Sequence, residues 1–209
     1  MRHADDNAAI GVGALIIFIA MILVAGIAAS VIIQTINNLQ QQALITGEQT
    51  ARDVSTGLRV THISGHKSGS TIDLMAVYIR PTAGSADIDL TYTYISLSNS
   101  DNQVILNFTN STYASSVSNG LFGTLDDTKI TANSFGVLEI RDIDNSSTSS
   151  TPVINDDDFF VLLINTTQCF SGLSTRKEVT GKVIPEQGIS GVISFTTPSS
   201  FVDTIIELQ

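Results

Sequence analysis

Residues 8–33 read AAIGVGALIIFIAMILVAGIAASVII, and among these 26 side chains only that of Ser30 can form a hydrogen bond. An apolar run longer than about 18 residues is typical of a transmembrane helix. At about 1.5 Å per residue the helix would be about 39 Å long, enough to cross a membrane. If its large apolar side chains stayed exposed to water, roughly 30 kcal/mol of favourable burial free energy would be lost, at about 2 kcal/mol each. The segment must therefore lie in lipid or inside protein.

The helical pattern continues beyond the apolar run. Gly57 and Gly65 are the candidate stops, so we expect one helix over residues 9–60, about 75 Å long and more than twice the bilayer thickness. The spacing of three and four residues places one apolar row on a single helix face: Ile32, Ile36, Leu39 and Ala43. The excess length favours packing against other copies of the helix, whereas composition alone fits a plain membrane anchor equally well.

Charge is distributed unevenly along the chain. The 209 residues contain 20 Asp and Glu against 10 Lys and Arg, yet the mean hydropathy is +0.25. Residues 1–60 hold three basic and four acidic side chains, so residues 61–209 carry a net charge of −9 out of −10. No basic patch exists for nucleic acid, which requires clustered cations. The sequence predicts a neutral apolar arm followed by an acidic domain of about 150 residues.

Residues 61–209 show the alternation of apolar and polar side chains that is typical of half-buried β-strands. Short strands separated by turn residues predict an Ig-like antiparallel β-sandwich, so the fold class is a long N-terminal α-helix followed by a β-sandwich domain. The candidate strands are 72–80, 88–94, 104–108, 135–143, 159–164, 179–184, 189–196 and 202–208. Residues 145–151, NSSTSST, are predicted to form an exposed loop.

The sequence offers no constellation for catalysis. All three histidines, His3, His62 and His66, lie in or beside the arm, so the β domain lacks the histidine of a Ser-His-Asp triad or of a common zinc site. We interpret the spacing of His62 and His66 as a solvated linker rather than half of a metal site. The single cysteine, Cys169, cannot form an internal disulfide, and its apolar neighbours predict a buried, inert thiol. We expect neither enzymatic activity nor a cofactor.

Three consecutive aspartates, residues 156–158, precede the apolar strand that starts at Phe159. Carboxylates are ligands for hard cations such as Ca²⁺, which makes Asp156 and Asp158 weak metal candidates. Adjacent carboxylates cannot all point at one ion, so we favour a solvated charge run that protects the strand from aggregation.

Four asparagines lie in Asn-x-Ser/Thr sequences, which accept glycans only on exposed segments of exported proteins. The glycosylation candidates are Asn107, Asn110, Asn145 and Asn165, of which the last lies late in a predicted strand.

The N-terminal arm resembles a known family. Residues 9–43 closely resemble the N-terminus of archaeal flagellins (archaellins), the type IV pilin-like subunits of the archaellum. The resemblance rests on the IGVG sequence at 10–13, the LIIFIAM sequence at 15–21, and the AAS sequence at 28–30 that leads into a Gln/Asn-rich stretch. A weaker resemblance covers residues 74–90, which look like the first hairpin of the archaellin outer domain.

The resemblance implies a preprotein that is inserted in the membrane and cut by a prepilin-type peptidase, here between Ala8 and Ala9. Residues 1–8 would then be the leader, 9–60 the assembly helix and 61–209 the outer domain. The leader departs from the family pattern, which has Lys or Arg and then Gly before the cut, because it offers Arg2 and Ala8 instead.

The function that the resemblance implies is a structural subunit of the extracellular archaellum filament, which serves swimming. Its partners would be further copies or related archaellins, the peptidase and membrane before assembly, and the archaellum motor and platform complex. Members of the family are commonly N-glycosylated. The alternatives are an adhesive archaeal type IV pilin and a single-pass membrane-anchored surface binding protein. The residues expected in the polymer core are Leu15, Phe18, Ile19, Ile22, Leu23, Ile27, Ile32, Ile36 and Leu39.

Overall fold

The computed structural model describes the backbone of residues 2–209 and the side chains of residues 10–209. Helix α1 spans Arg2–Ser55 and is 54 residues long, which corresponds to about 80 Å. The chain divides into two compact units, Met1–Gln49 and Thr50–Gln209. The first unit is helix alone; the second consists of the last helical residues and the β domain.

Helix α1 ends five residues before the predicted limit of 60. The Thr56 N–H donates to the Arg52 carbonyl oxygen (2.8 Å), and the chain then enters a strand at Leu58. Gly57 makes this transition possible, because a Cβ at that position would lie 2.9 Å from the Cβ of Ile189. The predicted stop at Gly57 is confirmed, but the expectation that the helix continues past it was wrong.

Within the described residues, the β domain contains eleven strands, one short α-helix and two 3-10 turns, at Leu90–Tyr92 and Asp127–Lys129. Nine strands form one sheet in the order β10-β9-β4-β5-β6-β8-β2-β1-β11, and β3 pairs with β7. All neighbouring strands are antiparallel except β5 and β6, which are parallel. The bounds are β1 Leu58–Ser68, β2 Thr71–Pro81, β3 Ile88–Asp89, β4 Tyr94–Ser98, β5 Gln103–Ala114, β6 Ser134–Arg141, β7 Val153–Ile154, β8 Phe159–Asn165, α2 Thr166–Phe170, β9 Glu178–Ile184, β10 Gly191–Thr196 and β11 Ile205–Glu207.

The large sheet curls until its two edges meet. The Leu58 N–H donates to the Ile189 carbonyl oxygen (2.9 Å), which joins the start of β1 to the segment before β10. Near the other end of β10, the Ser194 N–H donates to the side-chain oxygen Oε1 of Gln209 (3.0 Å), just after β11. The two layers predicted for a sandwich are therefore opposing parts of one curled, mainly antiparallel sheet, and the predicted fold class is confirmed.

One core fills the interior of the curled sheet. Every strand of the large sheet contributes to it, and Phe135 and Phe160 are its largest fully buried side chains. A smaller cluster lies on the opposite face of β2, β6 and β8, where Leu121, Phe122 and Leu125 of the long β5–β6 connection cover it. The strands β6, β8 and β2 are thus buried on both faces, which explains the continuous apolar run Phe159–Ile164 in the sequence.

Three parts of the strand prediction were wrong. The predicted strand 88–94 is interrupted by a 3-10 turn at Leu90–Tyr92, because the Asp89 carboxylate accepts a hydrogen bond from the Thr91 N–H (2.8 Å). Strand β1 was missed, and with it the position of His62 and His66, which lie in this strand and not in a solvated linker. The last predicted strand, 202–208, is reduced to β11.

Substitution of Gly181 by alanine will destabilise the β domain by about 2 kcal/mol, the usual cost of overpacking. A Cβ on Gly181 in β9 would lie 2.4 Å from the Ser96 carbonyl oxygen in β4, so the two strands must separate. Urea unfolding of the full chain in detergent, followed by the β-sheet circular dichroism, measures the change. The neighbouring exposed substitution Thr180→Ala serves as the control, and equal stability of the two variants would contradict the close packing of β4 and β9.

Candidate functional site

The N-terminal helix presents a long exposed apolar surface. The span Ile10–Ser55 is long and apolar enough, by length and composition, to cross a membrane, and none of its most apolar stretch is buried. The nine side chains predicted for the polymer core are all exposed, from 49 % of the surface of Ile19 to 66 % for Ile27. They lie together on one helix, but the single chain provides nothing to cover them. These residues are Leu15, Phe18, Ile19, Ile22, Leu23, Ile27, Ile32, Ile36 and Leu39.

Three glycines of the apolar helix leave open space beside it. A Cβ added to Gly11, Gly13 or Gly26 would meet nothing within 4 Å. The fold of the single chain therefore does not require glycine at these positions. Small residues on an apolar helix allow a neighbouring helix to approach closely, which makes this surface suitable for helix packing.

An acidic group lies in the connection between β6 and β8. Carboxylate oxygens of Asp142, Asp144 and Asp158 all lie within 4.8 Å of one another, with Asp158 fully buried. The Asp158 carboxylate accepts hydrogen bonds from the backbone N–H groups of Ile143 and Asn155, each at 3.1 Å. Three such carboxylates could hold a hard cation, and the described residues contain no other group of this kind.

Asp144 and Asp158 have opposite environments. Hydrogen bonds from the Asn155 and Ser146 side chains lower the pKa of Asp144 to about 2, whereas burial raises the pKa of Asp158. At neutral pH, Asp144 is fully ionised.

The sequence located only part of this group. Asp156 is exposed and lies outside it, and Asp158 is buried, so the interpretation of residues 156–158 as a solvated run was wrong for Asp158. Asp142 and Asp144 were missed. Their alternation in the sequence DID was the available signal, but only the fold shows that a chain segment more than ten residues away returns to them.

Tyr113 fixes the acidic connection to strand β5. Its hydroxyl donates to the Glu139 carboxylate (2.6 Å) and also contacts the Ser147 hydroxyl (3.1 Å). Burial, followed by the hydrogen bond to Glu139, raises the pKa of Tyr113 to about 12. The hydroxyl thus stays protonated, and keeps its role as a donor, throughout the neutral range.

The four glycosylation candidates differ in exposure. Asn107, Asn110 and Asn145 are exposed, the first two on β5 and the third in the loop after β6. Asn165 is buried and caps α2: its Nδ2 donates to the Asp127 carbonyl oxygen (3.0 Å), and its Oδ1 accepts from the Gln168 N–H (3.1 Å). A glycan on Asn165 would be attached to this buried Nδ2, beside the Asp127 carbonyl oxygen.

The remaining residues singled out by the sequence have structural surroundings. His66 Nδ1 lies 2.7 Å from the Asp73 carboxylate, and the His62 ring packs against Tyr78. Cys169 is half-buried, and burial raises the pKa of its thiol to about 11, so the reactive thiolate is scarce at neutral pH. The leader candidates Ala8 and Ala9 lie outside the residues whose side chains are described.

Comparison with known proteins identifies the family of this chain. The family model described as archaeal-type flagellin matches residues 8–195. The chain belongs to the archaeal-type flagellin family. This flagellin is 40 % identical to Flagellin B2 of Methanocaldococcus jannaschii over 205 residues, which cover 96 % of this chain and 94 % of that protein. It is also 32 % identical to Flagellin B3 of Thermococcus kodakarensis over 260 residues, with both chains covered completely.

Solved structures that match the flagellin include a crystal structure and a filament. The crystal structure of archaeal flagellin FlaB1 from Methanocaldococcus jannaschii gives a TM-score of 0.68 at 36 % identity, over 74 % of this chain and 97 % of that one. The archaeal flagellum of Methanospirillum hungatei strain JF1 gives 0.66 at 15 % identity, over 94 % and 98 %, a likeness of fold. Together with the family, they identify the flagellin as a structural subunit of the archaellum filament.

Replacement of Asp158 by alanine will lower the free energy of unfolding by about 2–3 kcal/mol. The change removes the acceptor of two backbone N–H groups and leaves them unsatisfied inside the protein. Asp157→Ala, at an exposed neighbour with ordinary negative φ, will change stability by less than about 0.5 kcal/mol. Urea unfolding of both full-length variants tests this difference, and similar losses would show that the Asp158 bonds do not stabilise the loop.

Proposed function

We propose that the flagellin polymerises through the apolar surface of helix α1, with the nine predicted core residues buried against the helices of neighbouring copies. The exposed apolar surface carries the proposal. Its 15 large side chains between Ile10 and Ile33 are worth roughly 30 kcal/mol when removed from water, at about 2 kcal/mol each. A filament core supplies that burial, and the glycines of the helix leave space for the neighbours.

The same helix occupies the membrane before assembly. Its apolar span satisfies every backbone hydrogen bond internally, as a bilayer requires. A prepilin-type peptidase removes residues 1–8 by cutting between Ala8 and Ala9, and the mature helix then moves from lipid into the filament. Both environments are apolar, so the transfer exposes the side chains to water at neither end.

The outer domain forms the wet surface of the extracellular filament. Its net charge of −9 at residues 61–209 keeps each copy soluble. The subunit has a mechanical role and catalyses nothing; a separate motor and platform complex rotates the filament for swimming. Related flagellins of the same cell are the other candidate partners in a mixed filament.

A charge in the polymer core will prevent assembly. Ile19→Asp buries a carboxylate in an apolar core without a partner, and filaments and swimming will be lost. Ile19→Leu keeps the apolar surface and will assemble normally, which makes it the matched control. Electron microscopy of material sheared from cells, with swimming assays, gives the readout. Normal filaments from Ile19→Asp would exclude α1 as the assembly surface.

Mass spectrometry of sheared filaments will locate the modifications. We expect a mature N-terminus at Ala9 and glycans on Asn107, Asn110 and Asn145, since these asparagines are exposed. Asn165 will be unmodified because its amide is buried and hydrogen-bonded on both sides. Asn→Gln variants at single sites serve as controls, each removing one glycan mass. A glycan at Asn165 in the folded protein would contradict the assignment.

A further inference from the structure

One outer surface of the β domain combines a cation with exposed apolar side chains. We name it the Lys182 face, and it lies on β10, β9, β4 and β5. Lys182 is opposite Val192 on one side and Ser96 on the other, and Ser96 is opposite Ile105. Tyr94 and Ile184 form the next row as a cross-strand pair. The Lys182 face consists of Tyr94, Ile105, Lys182, Ile184 and Val192.

The Lys182 face exposes large apolar side chains on the outer surface of the sheet. Ile105 and Val192 are 54 % and 55 % exposed, and Tyr94 is 40 % exposed. Their neighbours on the same strands, such as Ile95 and Leu106, point into the core and are fully buried. Contiguous apolar side chains on a polar domain mark interaction surfaces.

Among the described residues, Lys182 is a cation without an ion pair in a strongly acidic domain. Within the part of the chain that the structure describes, Lys129 and Lys177 each pair with an aspartate, whereas Lys182 forms no ion pair. Val192 and Ile184 lie beside Lys182 on two sides, and Ser96 and Thr180 lie beside it on the other two. A partner of this face must therefore offer both a carboxylate and an apolar contact.

The same domain carries a surface with those two properties. A cleft of about 460 Å³ lies beside Ile143, whose side chain is 60 % exposed. Asp156 and Asp157 line the cleft, are exposed, and form no ion pair with any described cation. We name it the Ile143 cleft; its lining residues are Ala83, Gly84, Ile143, Asp144, Asn155, Asp156 and Asp157.

The two surfaces lie on different parts of the sheet. The Ile143 cleft belongs to the connection that follows β6, and two strands, β4 and β5, separate β6 from β9, which carries Lys182. Their charges and apolar side chains are complementary, but the two surfaces lie apart within one domain. A second copy of the chain brings the missing partner to each surface.

We propose that the Lys182 face of one subunit packs against the Ile143 cleft of a neighbouring copy in the filament. The inference rests on the proposed polymerisation through α1, which brings outer domains of many copies together. Lys182 lies between Asp156 and Asp157 of the neighbour, and Val192 and Ile105 contact Ile143. Because the two surfaces differ, the contact is head-to-tail, and repetition of such a contact produces an open helical assembly rather than a closed dimer.

Cysteine cross-linking tests the contact in assembled filaments. Lys182→Cys combined with Asp157→Cys, in a Cys169→Ser background, will give a ladder of disulfide-linked oligomers after mild oxidation. The single variants can form no ladder. Lys129→Cys combined with Asp157→Cys is the matched control, since Lys129 lies outside the proposed contact.

The outcomes separate this inference from the proposed function. Normal filaments without a ladder, in which the Lys182→Cys thiol reacts with maleimide as fast as in the free subunit, would overturn the contact and leave the polymerisation intact. Failure of the Cys169→Ser parent to form filaments of any kind would instead count against polymerisation. Protection of the thiol that disappears in an Asn107→Gln filament would assign the face to a glycan and overturn the contact.

A charge exchange provides an independent check. Lys182→Glu will place like charges at the contact and lower filament yield about tenfold, equivalent to about 1.4 kcal/mol. Addition of Asp157→Lys in the same chain will restore the yield, because every contact in the polymer then carries the reversed pair. Equal yields from the single and the double variant would contradict the proposal.

Discussion

Removal of the apolar helix surface from water is the constraint on which the rest of the molecule depends. The helix carries no charge between Asp6 and Glu48, so no ionised side chain in this stretch offsets the exposure of its apolar residues to water. Its backbone hydrogen bonds are satisfied internally, and its side chains are satisfied only by lipid or by protein. Assembly through this surface therefore requires no specific polar contacts for its strength, and specificity must come from shape and from the outer domain.

The closed sheet of the outer domain meets a second requirement of a filament subunit. A filament holds many β domains close together, where exposed strand edges would pair between copies and aggregate. Here the edges of the large sheet are joined by the Leu58–Ile189 and Ser194–Gln209 hydrogen bonds. Closure leaves side-chain surfaces, rather than backbone edges, as the means by which outer domains of neighbouring copies can meet.

The sequence predicted the elements whose signal is local. The helix follows from one apolar run without proline, and strand β8 from a short run of large apolar residues. The start of β1 was missed because residues 51–60 continue a helical spacing, and the change occurs at Gly57, whose need for glycine comes from Ile189 far along the chain. The prediction of a continuous strand over residues 88–94 failed for a related reason. The Asp89 side chain accepts a backbone hydrogen bond and forms a turn, although apolar and polar residues alternate clearly there.

For the candidate site, too, the sequence predicted one part and missed others. The exposed apolar surface of helix α1 could be predicted, because hydrophobicity is a property of consecutive residues. The acidic group and the Lys182 face could not, since each unites residues from separate segments: Asp158 meets Asp142 and Asp144 across a loop, and Lys182 meets Ile105 only across β4. The sequence set Asn165 apart from Asn107 only by its position late in a predicted strand, and the fold shows that Asn165 is a buried helix cap whereas Asn107 is exposed.

The charge of the outer domain sets limits on how copies can pack. With a net charge of −9 at residues 61–209, neighbouring domains repel one another, and the repulsion is greatest at short distance. Apolar burial in the core can hold the copies against that repulsion but cannot orient them, because it has no direction. Each of the few cations that its own domain leaves unpaired is therefore a place where a neighbour can approach at low electrostatic cost. In the proposed contact, a scarce positive charge, rather than the abundant negative ones, orients adjacent subunits.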